Sequence, residues 1–243
     1  MGPSRYTLSF VPDYLDIDYS YRVKPSFLLN SFQLLSGVHA DMIGVGYGRM
    51  AAECNAFWVL SRIHVKLERV PMFAEKLNIT TWPLPAEGAS CMRCYKVEDE
   101  KGNVICRAKA MYLILDLTKH TLRTPKSLGD FGPDKYETET YADIALDKIL
   151  PEPDMSELFS RPVRLSDLDM NMHMNNAKYA DLLFDAFSAD EVKDKYIGDF
   201  QINFVSQLRE GDNVTVCRNT GGSLVFGADD DKKQVFISAV SLK

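Results

Sequence analysis

Side chains able to hold or move a proton crowd into one short stretch, directly before a segment with helical spacing. The stretch reads LSDLDMNMHMNNAKYADLLFDAF and runs from Leu165 to Phe187. Within ten of its positions it holds Asp167, Asp169, Asn171, His173, Asn175 and Asn176. Apolar residues then recur every three or four positions, which predicts an amphipathic helix.

This stretch contains the groups needed to hydrolyse an activated acyl group. Asn176 is predicted to cap the helix, whose first turn offers free N–H groups to a developing oxyanion. His173 can exchange a proton near neutral pH. Asn171 can hold water or a substrate oxygen, and Asp169 can orient the imidazole or activate water. Caps and turns before helices use the same residue types, so the motif alone leaves a structural interpretation open.

Bulk composition narrows the classes of protein. The chain has 243 residues, 46% of them hydrophobic, and a formal net charge of −6, which argues against a general nucleic-acid binder. Five cysteines do not suggest a disulfide framework, so we expect a reducing compartment. We identify no run of membrane-spanning length and no signal or transit peptide, and we therefore expect a cytoplasmic protein, of bacterial type.

The order of predicted elements occurs twice. In the first half, SFLLNSFQLLSGVHADMIG has helical spacing, and WVLSRIHVKLERV, KLNITTW and CMRCYKVEDEKGNVICRAKAMYLILDL predict long strands. In the second half, NNAKYADLLFDAFSAD predicts a helix, and DFQINFVSQL, DNVTVCRN and SLVFGADDDKKQVFISAVSLK predict strands. AEKLNITTW also aligns with REGDNVTVC. We interpret the repetition as a duplication.

Two helix-plus-meander units imply an α+β fold in which each helix is wrapped by an antiparallel sheet. Side by side, the two sheets can join and bury both helices, which is a tandem, or double, hotdog. We predict an N-terminal hotdog at 1–128 and a C-terminal hotdog at 159–243. Residues 129–158, rich in proline, glycine and acids, are predicted to be a crossover linker, with a short helical piece near ADIALDKIL.

The motif resembles that of a known enzyme family. DLDMNMHMNNAKY is similar to the D-x-N-x-H-x-N-N-x-K-Y signature of acyl-acyl carrier protein thioesterases. Matches around FWVLSRIHVKLERVPMFAEKLNITTWP and INFVSQLREGD follow in the family's order. The resemblance implies a double-hotdog enzyme that releases fatty acid from acyl carrier protein and needs neither metal nor organic cofactor.

The resemblance also implies residue roles. Asp169, Asn171 and His173 would form the catalytic group, and the first half would supply much of the acyl pocket. We predict substrate contacts from Asn175, Asn176, Tyr179, Phe32 and Trp58, although an apolar helix stripe is also typical of plain core. Because carrier protein is acidic, we predict basic docking residues, with Arg62, Lys66 and Arg69 as candidates.

One position departs from the family. Where the family usually has glutamate, often followed by cysteine in plants, this chain has Gln207 and Leu208. Leucine cannot act as a nucleophile, and glutamine can orient water without accepting its proton. We therefore expect attack by water, with Asp169 and His173 sharing the proton and Gln207 orienting the water.

Three alternatives stay open at the level of sequence. One is an acyl-CoA thioesterase of the same fold, and another is a non-catalytic protein that binds acyl thioesters. A hotdog dehydratase fits the loop less well. Cys91 and Cys94 have zinc-like spacing but no partner pair, so no metal site is predicted. The duplication permits a monomer, and a homodimer stays open as the other assembly.

Overall fold

A computed structural model describes residues 2–129 and 136–243. The strands are β1 Tyr6–Phe10, β2 Ala56–Leu67, β3 Leu77–Pro83, β4 Cys91–Glu98, β5 Val104–Asp116, β6 Leu122–Arg123, β7 Met155–Pro162, β8 Ile197–Phe204, β9 Asn213–Asn219, β10 Leu224–Ala228 and β11 Gln234–Leu242. The helices are α1 Pro25–Met42, α2 Tyr47–Cys54, α3 Asn176–Asp185 and α4 Ala189–Val192, with single 3-10 turns at Pro125–Leu128 and Leu165–Asp167.

Within the described ranges the strands form one antiparallel sheet in the order β1-β3-β4-β5-β2-β8-β11-β10-β9-β7, with β6 beside β5. From the centre outwards, both halves place their strands in the same relative order. The aligned segments AEKLNITTW and REGDNVTVC fall at β3 and β9, which hold equivalent places. This confirms the predicted double hotdog with a continuous sheet. Strands β1 and β7, at the sheet edges, were not predicted.

The two halves meet where β2 pairs with β8. The register places Ile63 opposite Ile202 and Val65 opposite Phe200. These four side chains are at most 2% exposed and point towards the helices. The alternation of β2 therefore works as predicted: its apolar residues join the core, and the polar ones face the other side of the sheet.

Helices α1 and α3 pack together inside the curved sheet. Helix α1 begins at Pro25, a residue suited to the first helical position because its missing N–H is not needed there. Phe32 and Leu35 of α1 and Leu182 and Leu183 of α3 are at most 1% exposed and belong to one apolar cluster. The helical spacing read from the sequence corresponds to this buried side.

The outer face of the sheet is crossed by an extended segment, residues 137–147, which we call the strap. Its carbonyl oxygens accept hydrogen bonds from outward side chains of successive strands. Trp82 of β3 donates to Glu139 at 2.8 Å, and Gln201 of β8 donates to Asp147 at 2.6 Å. The strap thus spans both halves of the chain. It covers the sheet face opposite the helices, to which the polar residues of the alternating strands point.

The strap corrects two expectations about the linker. Residues 142–150 form no helix, so the predicted helical piece was wrong. Strand β7 begins at Met155, so the last residues assigned to the linker belong to the second-half sheet. Residues 130–135 of the predicted linker lie outside the described residues. In the part of the chain that is described, no helix is both long and apolar enough to cross a membrane.

Candidate active site

The polar loop before α3 is a tight turn closed by its own backbone. Asp169 N–H donates to the His173 carbonyl at 2.8 Å, and Leu168 bridges to Met174. The Asp169 carboxylate accepts from Asn171 N–H at 2.8 Å and from His173 N–H at 3.4 Å. Asp169 is therefore a structural centre of the loop as well as a potential base.

The loop leads directly into the N-terminus of α3. Asn175, and not the predicted Asn176, is the cap: its Oδ1 accepts from Ala177 N–H at 2.9 Å. The same oxygen accepts from Gln33 Nε2 of α1 at 3.1 Å. This contact ties the loop to the first half of the chain. Asn176 is thereby left free of capping and can face a ligand.

An ion pair whose carboxylate is buried and whose guanidinium is half-buried supports the loop from behind. Arg161 on β7 donates from Nη1 to Asp167 at 2.7 Å and from Nη2 at 3.1 Å. Asp167 is 6% exposed, and its carbonyl accepts from Asn175 N–H at 2.9 Å. Burial alone would raise the pKa of Asp167, but the hydrogen bonds from Arg161 and Arg164 N–H and the charge of Arg161 lower it.

A cavity of about 330 Å³ lies between the loop, α1 and the first-half sheet. Its loop side is formed by Asp169, Met170, Asn171 and Asn176, and its α1 side by Gln33, Ser36, Gly37 and Ala40. The remaining wall is largely apolar and includes Val45, Met50, Trp58, Leu60 and Ile114. An apolar pocket with a few convergent polar groups at one end is typical of a small-molecule site.

His173 stands behind this lining and does not contribute to it. Its Nε2 is buried and has no hydrogen-bond partner in the described structure. Burial and then the charge of Arg209 lower the pKa of His173, while Asp169 raises it by a smaller amount. The imidazole is therefore favoured in its neutral form, electrostatically coupled to Asp169.

The predicted substrate residues divide between the cavity and the core. Trp58 lines the cavity, and its Nε1 donates to the Val45 carbonyl at 2.8 Å. Phe32 does not, because it stacks on Tyr95 in the core with ring centroids 4.5 Å apart. Tyr179 is 2% exposed and packs edge-on against Phe204, so it too is core. Asn175 acts through its cap and its Gln33 contact.

Gln207 is exposed after the end of β8 and is not part of the cavity wall. Its neighbour Leu208 is buried, and the Leu208 carbonyl accepts from Met174 N–H at 2.8 Å. The segment therefore positions the loop through its backbone. The structure gives no support to a water-orienting role for the Gln207 side chain.

The three predicted docking cations have partners within the chain. Arg62 donates to the Leu146 carbonyl, and Lys66 donates to the Asp143 carbonyl, each at 2.6 Å. Both sit under the strap, on the sheet face opposite the helices. Arg69 pairs with Glu75 and with Asp99. None of these cations lines the cavity, so the geometry does not favour them as a docking surface.

The polar residues of the cavity wall that sequence reasoning missed include Gln33, Ser36, Arg93 and Tyr112. A signal existed for one of them. Arg93 on β4 alternates with Tyr95 and Val97, which are both buried, so its parity places it on the inner face. Gln33, Ser36 and Tyr112 left no such signal, because a residue that lines a cavity and a residue in the packed core follow the same helix or strand pattern.

Cys91 and Cys94 lie on one strand, and burial raises the pKa of each thiol to about 11. Such thiols stay protonated at neutral pH and are poor metal ligands. Among the described residues, no group of three or more His, Cys, Asp or Glu side chains is placed to hold a metal ion.

Two family models match the chain. The acyl-ACP thioesterase N-terminal domain covers residues 3–126, and the acyl-ACP thioesterase C-terminal domain covers residues 152–236. A chloroplastic dodecanoyl-[acyl-carrier-protein] hydrolase of Umbellularia californica is 26% identical over 230 residues, which are 86% of this chain and 59% of that protein. The chain thus spans little more than half the length of this relative, and a similar hydrolase of Cinnamomum camphora is matched over 53% of its length.

Solved structures share the fold at low identity. An acyl-ACP thioesterase from Bacteroides thetaiotaomicron superposes with a TM-score of 0.87 at 22% identity, covering 99% of this chain and 98% of that one. The 12:0-ACP thioesterase from Umbellularia californica gives 0.82 at 17% identity, covering 100% and 98%. With both halves matched in order by the family models, the chain belongs to the acyl-ACP thioesterase family.

Proposed function

We propose that this chain hydrolyses fatty acyl thioesters of acyl carrier protein to free fatty acid and carrier thiol. One observation carries the proposal: Asp169, Asn171 and Asn176, at the N-terminal end of α3, line the polar end of a mainly apolar cavity. The cavity suits an acyl chain, and the polar end suits its thioester. Family membership supports the same reaction.

Water is the nucleophile in the mechanism we propose. Asp169 accepts a proton from water as the oxygen attacks the thioester carbonyl. Asn171, Asn176 and the positive end of α3 stabilise the oxyanion. The tetrahedral intermediate then collapses, the C–S bond breaks, and the proton held by Asp169 passes to the thiolate. The products are a carboxylic acid and a thiol, and the carboxylate of Asp169 is restored.

His173 acts on Asp169 in this scheme, as a positioning residue. Its carbonyl and N–H close the turn that aims the carboxylate. Its neutral ring is electrostatically coupled to Asp169, and its Nε2 is buried without a partner in the described part of the chain. A buried polar atom without a partner costs about 1–3 kcal/mol, which is tolerated where function requires it.

The test is release of free thiol from acyl-carrier-protein and acyl-CoA substrates of graded chain length. We expect hydrolysis that saturates with substrate and is fastest at one acyl chain length. Turnover should be faster with acyl-carrier-protein substrates than with acyl-CoA substrates. The position of His173 behind the lining favours one alternative, a non-catalytic acyl-binding protein. Tight binding without any thiol release would establish that alternative and refute the hydrolase.

A surface beside the loop fits an acidic carrier better than the predicted cations do. Leu165, Met170 and Met172 are 68%, 83% and 56% exposed. Arg164 and Arg209 are exposed nearby, and no salt bridge among the described residues engages them. Charge complementarity predicts that added salt slows carrier-protein substrates more than coenzyme A substrates. Equal salt sensitivity of both would contradict docking here.

The lowered pKa of His173 predicts a pH dependence. If the neutral ring is the active form, kcat/KM falls on the acid side with a midpoint below the ordinary 6.5 of histidine. Arg209→Ala removes a charge that lowers this pKa, so the acid limb should move to higher pH. Pantetheine thioesters serve as substrates, because they avoid any docking effect. An unmoved limb, or a shift to lower pH, would count against His173 as the titrating group.

A further inference from the structure

The wall of the cavity contains a buried cation. Arg93 on β4 is 7% exposed and lines the cavity. Its Nη1 donates to His39 Nδ1 at 3.0 Å and to Thr81 Oγ1 at 3.2 Å. Within residues 2–129 and 136–243, no carboxylate forms a salt bridge with it.

The partner His39 does not balance this charge. Its Nε2 lies 2.8 Å from the Pro3 carbonyl, which can only accept, so Nε2 carries the proton. Nδ1 must then accept from Arg93, and the ring is neutral. Burial foremost lowers the pKa of His39, the hydrogen bond to the Pro3 carbonyl raises it by a smaller amount, and the charge of Arg93 adds a still smaller lowering. The neutral ring therefore leaves the buried guanidinium without a balancing charge, at a desolvation cost that an anionic ligand would offset.

Hydroxyl groups extend this polar part of the wall. Ser36 Oγ lies 2.6 Å from Tyr95 Oη, and Tyr95 Oη lies 3.0 Å from Tyr112 Oη. Ser36 and Tyr112, like Arg93, line the cavity. Hydroxyls can donate or accept, so together with Arg93 they offer several hydrogen bonds to an oxygen atom.

The polar part lies away from the reacting carbonyl. Gln33 marks the catalytic end of α1, because it contacts Asn175 of the loop. Ser36 is one turn further along α1, and His39, which holds Arg93, is six residues from Gln33. At a rise of 1.5 Å per residue, this corresponds to about 9 Å along the helix. An acyl chain entering from the loop would pass these groups with its middle or far portion.

We propose that the cavity is built for acyl chains that carry an oxygen substituent remote from the thioester, a carboxylate best and a hydroxyl second. Arg93 is the specificity-determining residue, and Tyr112 assists it. With Nη1 engaged by His39 and Thr81, Nε and Nη2 of Arg93 remain to give a carboxylate two parallel hydrogen bonds, which accounts for the order. The proposal rests on the proposed function, because it names the substrate class of the same site.

Binding and hydrolysis are tested with chains of one length that end in methyl, hydroxyl or carboxylate. Non-hydrolysable pantetheine amides measure affinity by calorimetry, and the matching thioesters measure kcat/KM. We expect the carboxylate to bind at least about tenfold better than the methyl compound. Arg93→Met should invert this order, weakening the carboxylate and strengthening the methyl compound. Tyr112→Phe, which keeps the ring, should weaken the hydroxyl and carboxylate compounds less severely.

The amides keep the outcomes distinguishable. Preferential binding of the oxygenated amides without thiol release would support this proposal and reject the hydrolase. Equal or better binding of the methyl amide by the wild type would overturn the proposal, whatever the hydrolysis rates. So would an unchanged order in Arg93→Met. If Arg93→Met fails to fold, Tyr112→Phe provides the test. Unchanged affinity of Tyr112→Phe for the hydroxyl and carboxylate amides would then overturn the proposal.

Discussion

Asp169→Asn should lower kcat for thioester hydrolysis by about 10²–10⁴-fold, the usual contribution of a general base. The substitution is nearly isosteric, and an amide oxygen can still accept from the N–H groups of Asn171 and His173, as the carboxylate does. The turn should therefore persist while its basicity is lost. Steady-state rates and the affinity of a non-hydrolysable pantetheine amide separate the two effects.

Gln207→Ala provides the matched control for this experiment. Gln207 is exposed and outside the cavity wall, so its removal should change kcat by no more than about twofold, in keeping with a surface substitution. Near-normal turnover in Asp169→Asn would exclude the carboxylate as the base. A large loss in Gln207→Ala would restore the water-orienting role that the sequence predicted.

Arg161→Met should destabilise the fold by about 2 kcal/mol, less than the loss of a fully buried ion pair, because the Arg161 side chain is 31% exposed. Asp167 would keep its burial but lose both hydrogen bonds from the guanidinium. The loop would lose its support, so activity should also fall. Lys233→Met is the control, because Lys233 and Asp231 form an exposed pair whose loss should leave stability near wild type.

The effect of Arg161→Met should depend on pH. In the wild type the pKa of Asp167 is lowered, so its contribution to stability is present above the unfolded value of roughly 3.9 and is lost as pH falls through the folded value. Without Arg161, burial dominates and the folded pKa rises, so protonation then favours the folded state. The stability gap should narrow as pH falls towards 4, as followed by urea unfolding.

A second substitution completes the test of the ion pair. Arg161→Met with Asp167→Asn removes the uncompensated charge and should recover part of the lost stability. If Arg161→Met alone unfolds at the same urea concentration as the wild type at neutral pH, the pair does not support the loop.

Strand alternation and helical spacing predicted the fold well, because both patterns report directly on which side of an element is buried. The β2 pattern placed Ile63 and Val65 in the core, as the structure confirms. The same pattern could not show what covers the opposite face. The strap is held largely through its carbonyl oxygens, and backbone groups leave no trace in residue type. Arg62 and Lys66 therefore looked like free surface cations.

Of the three residues assigned to catalysis, two line the cavity and His173 does not, and the pocket residues were predicted less well. Asp169 and Asn171 line the cavity as the polar motif suggested, whereas Phe32 and Tyr179 lie in the core. A buried helix stripe has the same sequence pattern in both settings, since only the distance between packed elements creates the space. Arg93 was overlooked for a related reason. Strand alternation places its side chain on the inner face of β4, but it does not show that this face borders a cavity.

The junction of β2 with β8 has a consequence for attempts to divide the chain. Cut within the strap, either fragment on its own would display a long central strand with unpaired N–H and C=O groups, a template for aggregation. The two fragments would need to be synthesised together to shield each other. We therefore expect activity when the two fragments are produced together in one cell. We expect no activity when the fragments are purified separately and then mixed.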